Sequence, residues 1–299
     1  MRLEVLTVPY RYDEREEGLG AGPGAILRAG LRARLASAGL DCGEARSAEL
    51  DEADRTDEGV AVNIGRLGAR TAALVAEARR AGGGALVLAG DDTAAVGVVA
   101  GVLQAEPEAT IGLVWLDAHG DFNTPETSYS GILAGMPVAV IAGLAGPLWR
   151  EAAGLRAPIA TDRIMLAGIR ELDEREEELI RATDARLVRS ADLADKAAFA
   201  ASVERLARRC THLCLHVDLD VLDPRFVPSA STPSANGLTI EQAASAMAAV
   251  LATGKVASVC VSSINPGAGT RGERSVASAV EMLVRALPAW ESAPAAPPA

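Results

Sequence analysis

The sequence predicts an α/β fold in which one mainly parallel sheet is covered by helices on both faces. Short β-branched or Leu-rich runs alternate with Ala/Leu/Arg/Glu stretches of helical period along the whole chain. Parallel neighbours need long crossovers, and helical crossovers bury both faces of the sheet, so this alternation selects that architecture. Polar clusters also follow four of the apolar runs directly, at the strand ends where open parallel sheets hold their ligands.

In chain order, Leu3–Val8 is the first strand, and the Gly-Pro-Gly at 22–24 marks a turn before a helix over about 24–38. A helix over 62–81 leads to the strand Ala85–Leu88, a helix over 93–105 to Ile111–Leu116, and Arg163–Ala167 is the fourth strand. Helices over 174–183 and 196–209 precede Leu213–Val217, one over 240–253 precedes Ala257–Val261, and the last spans 273–287. Each helical stretch spaces its apolar residues three or four apart. With no fixed-period repeat and no dividing linker, residues 1–290 are expected to form one domain, and the SAPAAPPA end a flexible tail over 291–299.

At 299 residues, 49% hydrophobic and 23% charged, the chain is long and apolar enough for a real core, which excludes disorder as its main state. Its 29 Lys+Arg against 40 Asp+Glu leave a formal charge of −11, which argues against nucleic-acid and anionic-membrane binding and favours small molecules and cations as partners. No run approaches the roughly 20 apolar residues of a membrane span, and MRLEVLTVPYRYDEREE has no apolar signal core, so a cytoplasmic protein is expected. Cys42, Cys210, Cys214 and Cys260 are too few and scattered for a disulfide framework and read as buried thiols.

The strand-end clusters are Gly90-Asp91-Asp92, Asp117-Ala-His119-Gly-Asp121, His216-Val-Asp218-Leu-Asp220 and Ser262-Ser263-Ile264-Asn265-Pro266. In extended chain, alternate residues project to one side, so Asp117, His119 and Asp121 can converge on a cation, and Asp218 with Asp220 repeat the device. Asp92 adds a fifth carboxylate. Carboxylates this close repel one another severely unless cations neutralise them. Five carboxylates and one imidazole are too many for one ion and suit two; an oxygen-rich set without thiolate favours Mn²⁺, then Mg²⁺ or Fe²⁺. Such a pair activates water for attack on an electrophilic carbon, which is hydrolysis without a protein nucleophile.

The stretches AGDDT (89–93), DAHGDFNTPETSYSGILAGMP (117–137), HVDLDVLDP (216–224) and SSINPG (262–267) resemble the metal-site motifs of the ureohydrolases, and GAGPGAILRAGL (20–31) resembles their N-terminal segment. That family comprises arginase, agmatinase, guanidinobutyrase and formiminoglutamase. The resemblance implies a three-layer α/β/α fold, a dinuclear manganese centre ligated by Asp92, Asp117, His119, Asp121, Asp218 and Asp220, and cleavage of a C–N bond at a guanidinium or amidine carbon. Trimers or hexamers are implied by the same resemblance. Asn123-Thr-Pro with Ser130-Gly131 is most similar to the arginases, where the matching asparagine and serine hold a substrate α-carboxylate and an aspartate matching Asp173 lies near the α-amino group.

Four positions depart from the family pattern. Asp92 stands where the family has a histidine ligand, Ala134 where it has a proton-shuttling histidine, and Ser263 where a glutamate pairs with the guanidinium; Ile132 replaces a common polar residue. A modified guanidino group of lower basicity suits these losses, because it needs less charge pairing and less help for its leaving amine. Asp121 is assigned to catalysis as well as ligation, His216 to proton transfer or to supporting the ligands, and Ser263 to the substrate's reacting end. Two other readings remain: a non-catalytic relative that binds a ligand or partner, and a deacetylase-like amide hydrolase. Weaker signals are set aside. Cys210-x-His212-x-Cys214-x-His216 spans about 20 Å of strand and cannot close one zinc tetrahedron, GLGAGPG lacks dinucleotide spacing, and the charge run Glu171–Glu178 reads as a solvated helix face.

Overall fold

The computed structural model describes residues 2–291. Seven principal strands, Arg2–Val8 (β1), Gly84–Ala89 (β2), Ile111–Leu116 (β3), Ile164–Ile169 (β4), Arg186–Arg189 (β5), His212–Asp218 (β6) and Val256–Ser262 (β7), lie in the order β1-β2-β7-β6-β3-β4-β5. All pair in parallel, and the short strands Asp41–Cys42 and Arg46–Ser47 extend the β1 edge. Alternation sorts each strand between two cores. Leu3, Val5, Leu86, Leu88, Leu213, Leu215 and Val217 face helices Gly22–Arg28 (α1), Leu31–Ser37 (α2), Lys196–Ala207 (α3), Ile240–Leu251 (α4) and Thr270–Ala286 (α5). Leu6, Val8, Val87, Leu113 and Trp115 face the opposite layer, in which the long helix Val60–Arg80 packs on Ala94–Ala105. This is the three-layer α/β/α arrangement.

The expected strands and helices are present within a few residues of their ends, with instructive exceptions. The helix expected over 24–38 is broken into α1 and α2 by Gly30, whose φ of 84° lies in the left-handed region. Strand β5 escaped notice because RLVR alternates charge with apolar residues, as an edge strand does. Gly22-Pro23-Gly24 lies inside α1 rather than before it, with the proline in the first turn, where its missing N–H has no helical partner to lose. The tail assigned to 291–299 falls outside the described residues save for the helical end at residue 291. No helix among the described residues is long and apolar enough to cross a membrane.

Candidate metal centre

Sheet order places the chemistry. β2, β7, β6 and β3 are consecutive neighbours, so the segments leaving their carboxyl ends, with Asp91-Asp92, Ser262-Ser263, Asp218-x-Asp220 and Asp117-x-His119-x-Asp121, come together. Register sharpens this: His216 pairs with Trp115 on one side and Cys260 on the other, and Asp218 pairs with Ser262. Asp92, Asp117, Asp121, Asp218 and Asp220 are all buried. The Asp117–Asp121 motif works differently from simple strand alternation. β3 ends at Leu116, the motif lies in the following turn, and Asp121 adopts a φ of 47°, so a left-handed residue turns its carboxylate inward.

Two overlapping groups result: Asp117, His119 and Asp220, and Asp92, Asp117 and Asp218, each with one ligand atom per residue and those atoms within 4.8 Å of one another. Asp117 belongs to both. Its Oδ2 accepts from Trp115 Nε1 at 2.9 Å and its Oδ1 from the His119 amide at 2.7 Å. His119 Nδ1 lies 3.1 Å from Asp220 Oδ2 and 3.4 Å from Asp117 Oδ1. Asp220 is held by the Ala118 amide and the Thr232 hydroxyl, and its own amide donates to Asp218 Oδ1 at 2.6 Å. Arg170 braces this turn by donating to the Asp220 carbonyl at 2.6 Å.

Crowding shows in the protonation of these groups. Burial and then the Asp220 charge push Asp117 up to about 8. Burial, then Asp117 and Asp92, raise Asp121; burial, then Asp220 and Asp92, raise Asp218. Burial pulls His119 down, but hydrogen bonds to Asp117 and Asp220 and their charges carry it up to about 12. Asp121 Oδ2 is buried with no hydrogen-bond partner among the described residues. A buried carboxylate oxygen without a donor, beside like charges that resist ionisation, is the environment that a divalent cation relieves. The residues therefore fit metal; Asp121, expected among the ligands, belongs to neither close group and instead borders the cavity beside them.

Asp92 is the exception to the upward trend. Burial raises it, but His216, Ser262 and Ser263 outweigh burial and hold it below the ordinary carboxylate value. His216 is buried, stacks on Trp115 with ring centroids 3.6 Å apart, and does not border the cavity above the carboxylates. Ser263, expected at the substrate's reacting end, is fully buried and donates its hydroxyl to Asp92 Oδ2 at 2.8 Å instead. Its φ of 77° turns it back toward β2.

Above the carboxylates lies a cavity of about 390 Å³ with Asp92, His119, Asp121 and Asp218 in its wall. Asn123, Ser130 and Asp173 border its outer part, where Asn123 Nδ2 donates to Asp173 Oδ2 at 3.2 Å. Ile132 and Ala134 make that wall apolar. Among the bordering residues missed in the sequence are Glu176 and Tyr12. Glu176, inside the charge run read as solvated, is 3% exposed, accepts from the Phe122 amide at 2.8 Å, and is pushed by burial up to about 7. Helical phase was the available signal, since Glu176 lies four residues before the buried Ile180. Tyr12 had no local signal, because its place depends on contacts far along the chain.

Comparison with known proteins agrees with this geometry. Residues 2–288 match the model of the Arginase family. An arginase from Bacillus caldovelox is 32% identical over 255 residues, covering 82% of this chain and 84% of its own. The crystal structure of arginase from Bacillus cereus superposes with a TM-score of 0.84 at 26% identity, covering 95% of this chain and 98% of its own. A formimidoylglutamase from Bacillus subtilis shares the fold at 18% identity, with a TM-score of 0.75 over 98% of this chain and 88% of its own. With the strand-end carboxylates and His119 brought together and the match along nearly the whole chain in hand, the protein belongs to the arginase family of ureohydrolases.

Proposed function

We propose that this protein is a dinuclear-metal-dependent amidinohydrolase that cleaves a C–N bond in a guanidino or modified guanidino, arginine-like substrate and releases urea or a substituted urea. The observation that carries the reading is the pair of overlapping groups sharing Asp117 at the floor of a cavity of small-molecule size. Mn²⁺ is the first choice for an oxygen-rich set with one imidazole, with Mg²⁺ or Fe²⁺ behind it. Asp117, His119 and Asp220 would hold one ion, and Asp92, Asp117 and Asp218 the other, with Asp121, which borders the same cavity, available to complete the set. When bound, the ions supply an activated water nucleophile and neutralise the carboxylates.

The chain's own residues do the rest. Asn123, Ser130 and Asp173, with Glu176, hold the amino-acid end of the substrate, and burial of the floor keeps bulk water from the reacting carbon. His216 and Ser263 act through Asp92, whose orientation they set, and touch no substrate. The family likeness supports a homo-oligomer, trimeric or hexameric, acting on a small molecule. The test is to load purified protein with Mn²⁺, measure ions per chain, and assay urea or substituted-urea release from L-arginine, N-hydroxy-L-arginine, agmatine and guanidinobutyrate. Two ions with turnover of one compound is expected; fewer ions and no turnover would leave a binding protein, and acetate release from acetylated amines an amide hydrolase.

A further inference from the structure

Arg170 leaves the carboxyl end of β4 and reaches past β3 to the turn that follows β6, two strands away. Its guanidinium donates to six backbone carbonyls on three segments of the chain. The closest are Asp220 at 2.6 Å and Ser234 at 3.0 Å from Nη2, and Ala235 at 3.1 Å from Nε. Val221, Leu222 and Gly168 lie at 3.3, 3.4 and 3.4 Å. The Arg170 amide donates to the Ala118 carbonyl at 2.9 Å, between Asp117 and His119, and the Ala118 amide donates in turn to Asp220 Oδ1 at 3.2 Å. One residue thus ties together the turn of His119, the turn of Asp220 and the loop over 231–235.

Hydrogen bonds, not burial, fix that loop. Its flanks are held by the bridges of Ala230 to Ile264 and of Leu238 to Leu222, but Ser231, Thr232, Pro233 and Ala235 between them are exposed. The Ser231 amide donates to the carbonyl of Ser263, the residue whose hydroxyl holds Asp92, at 3.3 Å. The Thr232 hydroxyl donates to Asp220 Oδ2 at 3.0 Å, and the Ser234 and Ala235 carbonyls take the Arg170 guanidinium. The loop therefore runs from the Asp92 group to the Asp220 group, and Ser231 and Thr232 border the cavity on the way. Asp220 Oδ2 is also the oxygen 3.1 Å from His119 Nδ1, so Thr232 acts on the oxygen that faces the histidine.

Resting on the metal-centre reading above, we propose that Arg170 is a positioning residue for that centre: its guanidinium pins the loop over 231–235 so that the Thr232 hydroxyl holds Asp220 Oδ2 in place for an ion in the group of Asp117, His119 and Asp220. Groups that orient a ligand from behind change metal affinity by about 10–100-fold when they are removed. Shape matters here as well as charge. Five N–H donors in one plane reach carbonyls on separate segments at once, whereas a lysine ammonium carries the same charge on a single nitrogen and cannot span them.

The test titrates Mn²⁺ calorimetrically into the full chain and its Arg170→Lys, Thr232→Val and double variants, reading overall Mn²⁺ affinity, with the metal-free Tm alongside. Each single variant is expected to lose about tenfold in affinity. Because both act through one contact with Asp220, the double variant should lose less than the product of the two single losses, by more than about twofold. A residue that merely supports the fold would lower the metal-free Tm and leave the losses multiplicative. A single variant within about twofold of wild type, or a double loss within about twofold of the product, overturns the proposal. Should Arg170→Lys fail to fold, Thr232→Val decides alone: an affinity within about twofold of wild type overturns the proposal, and a greater loss upholds it. The expected pattern without turnover of any guanidino compound sinks the hydrolase and leaves the proposal standing. A wild type that binds no Mn²⁺ overturns both.

Discussion

His216 Nε2 lies 3.0 Å from Asp92 Oδ1, joining residues 124 positions apart across the carboxyl edge of the sheet. Ser262 Oγ donates to the same oxygen at 2.7 Å, and Ser263 Oγ to Oδ2 at 2.8 Å. A carboxylate offers about four lone-pair sites. Three are taken, and the remaining one belongs to Oδ2, so Asp92 is left able to ligate through a single oxygen.

From this geometry follows the behaviour of His216→Ala. Removing the imidazole frees Asp92 Oδ1 and empties the space against Trp115, so the group containing Asp92 should lose metal before the group of Asp117, His119 and Asp220 does. Ions per chain should fall toward one, with affinity at the weaker position down about 10–100-fold. Calorimetric Mn²⁺ titration, with spin-coupled electron paramagnetic resonance as a separate signature of paired ions, checks it; two equal sites in the variant would count against the arrangement.

Asp121→Asn should act in opposite directions with and without metal. Among buried like charges, removing one relieves repulsion, so the metal-free variant should melt about 2–4 °C higher than wild type. The rise in Tm on adding Mn²⁺ should shrink, because stabilisation by a ligand follows its affinity for the folded state. Thermal melts with and without Mn²⁺ read both.

Glu176 gives a pH signature. Its folded pKa of about 7 lies above the ordinary glutamate value of 4.5, so the folded state binds this proton more tightly than the unfolded chain does. The stability this contributes is present below pH about 4.5 and is lost as pH rises through about 7. Glu176→Gln should therefore gain on wild type between pH 5 and pH 8, by up to about 3 kcal/mol. Denaturant melts across that range test it; a constant difference would refute the sign.

At the outer part of the cavity, Asn123 bonds Asp173 through Nδ2 and accepts from the Thr127 hydroxyl at 2.8 Å. Truncation in Asn123→Ala removes binding that ground and transition states share. KM for the best substrate should rise about tenfold with kcat within about threefold. A fall in kcat at unchanged KM would instead place Asn123 with the reacting carbon.

The scaffold has its own weak point at Gly97. A Cβ there would lie 2.4 Å from the Gly68 carbonyl oxygen, where the helices Val60–Arg80 and Ala94–Ala105 cross backbone to backbone. Gly97→Ala should destabilise by about 1–3 kcal/mol through forced separation of the two helices. Chemical denaturation of the metal-loaded protein measures it.

Much of this was legible in the sequence, and for a local reason. Apolar periodicity and chain alternation act over a few residues, so Leu3–Val8, Ile111–Leu116 and the helix over 93–105 can be read without any partner. The acidic clusters were legible because chemistry in a parallel sheet gathers where strands end. Breaks in the pattern were harder: Gly30 sits in an otherwise continuous helical period, and only its left-handed φ divides the helix. Glu176 was hidden among six charged neighbours in an eight-residue run, because burial depends on which helix face meets the sheet.

By itself the sequence determined the layered α/β fold, the strand-end carboxylates and the resemblance to the ureohydrolases, since these are carried by residue type and short spacing. Only the tertiary structure decided that Asp92 takes His216, Ser262 and Ser263 as donors, that Ser263 turns away from the cavity, and that Tyr12 turns into it. Those pairings span 79 residues from Tyr12 to Asp91 and 171 from Asp92 to Ser263. A hydrogen bond is a matter of about 3 Å in space, and spacing along the chain sets no such distance until strand order and register bring the ends together.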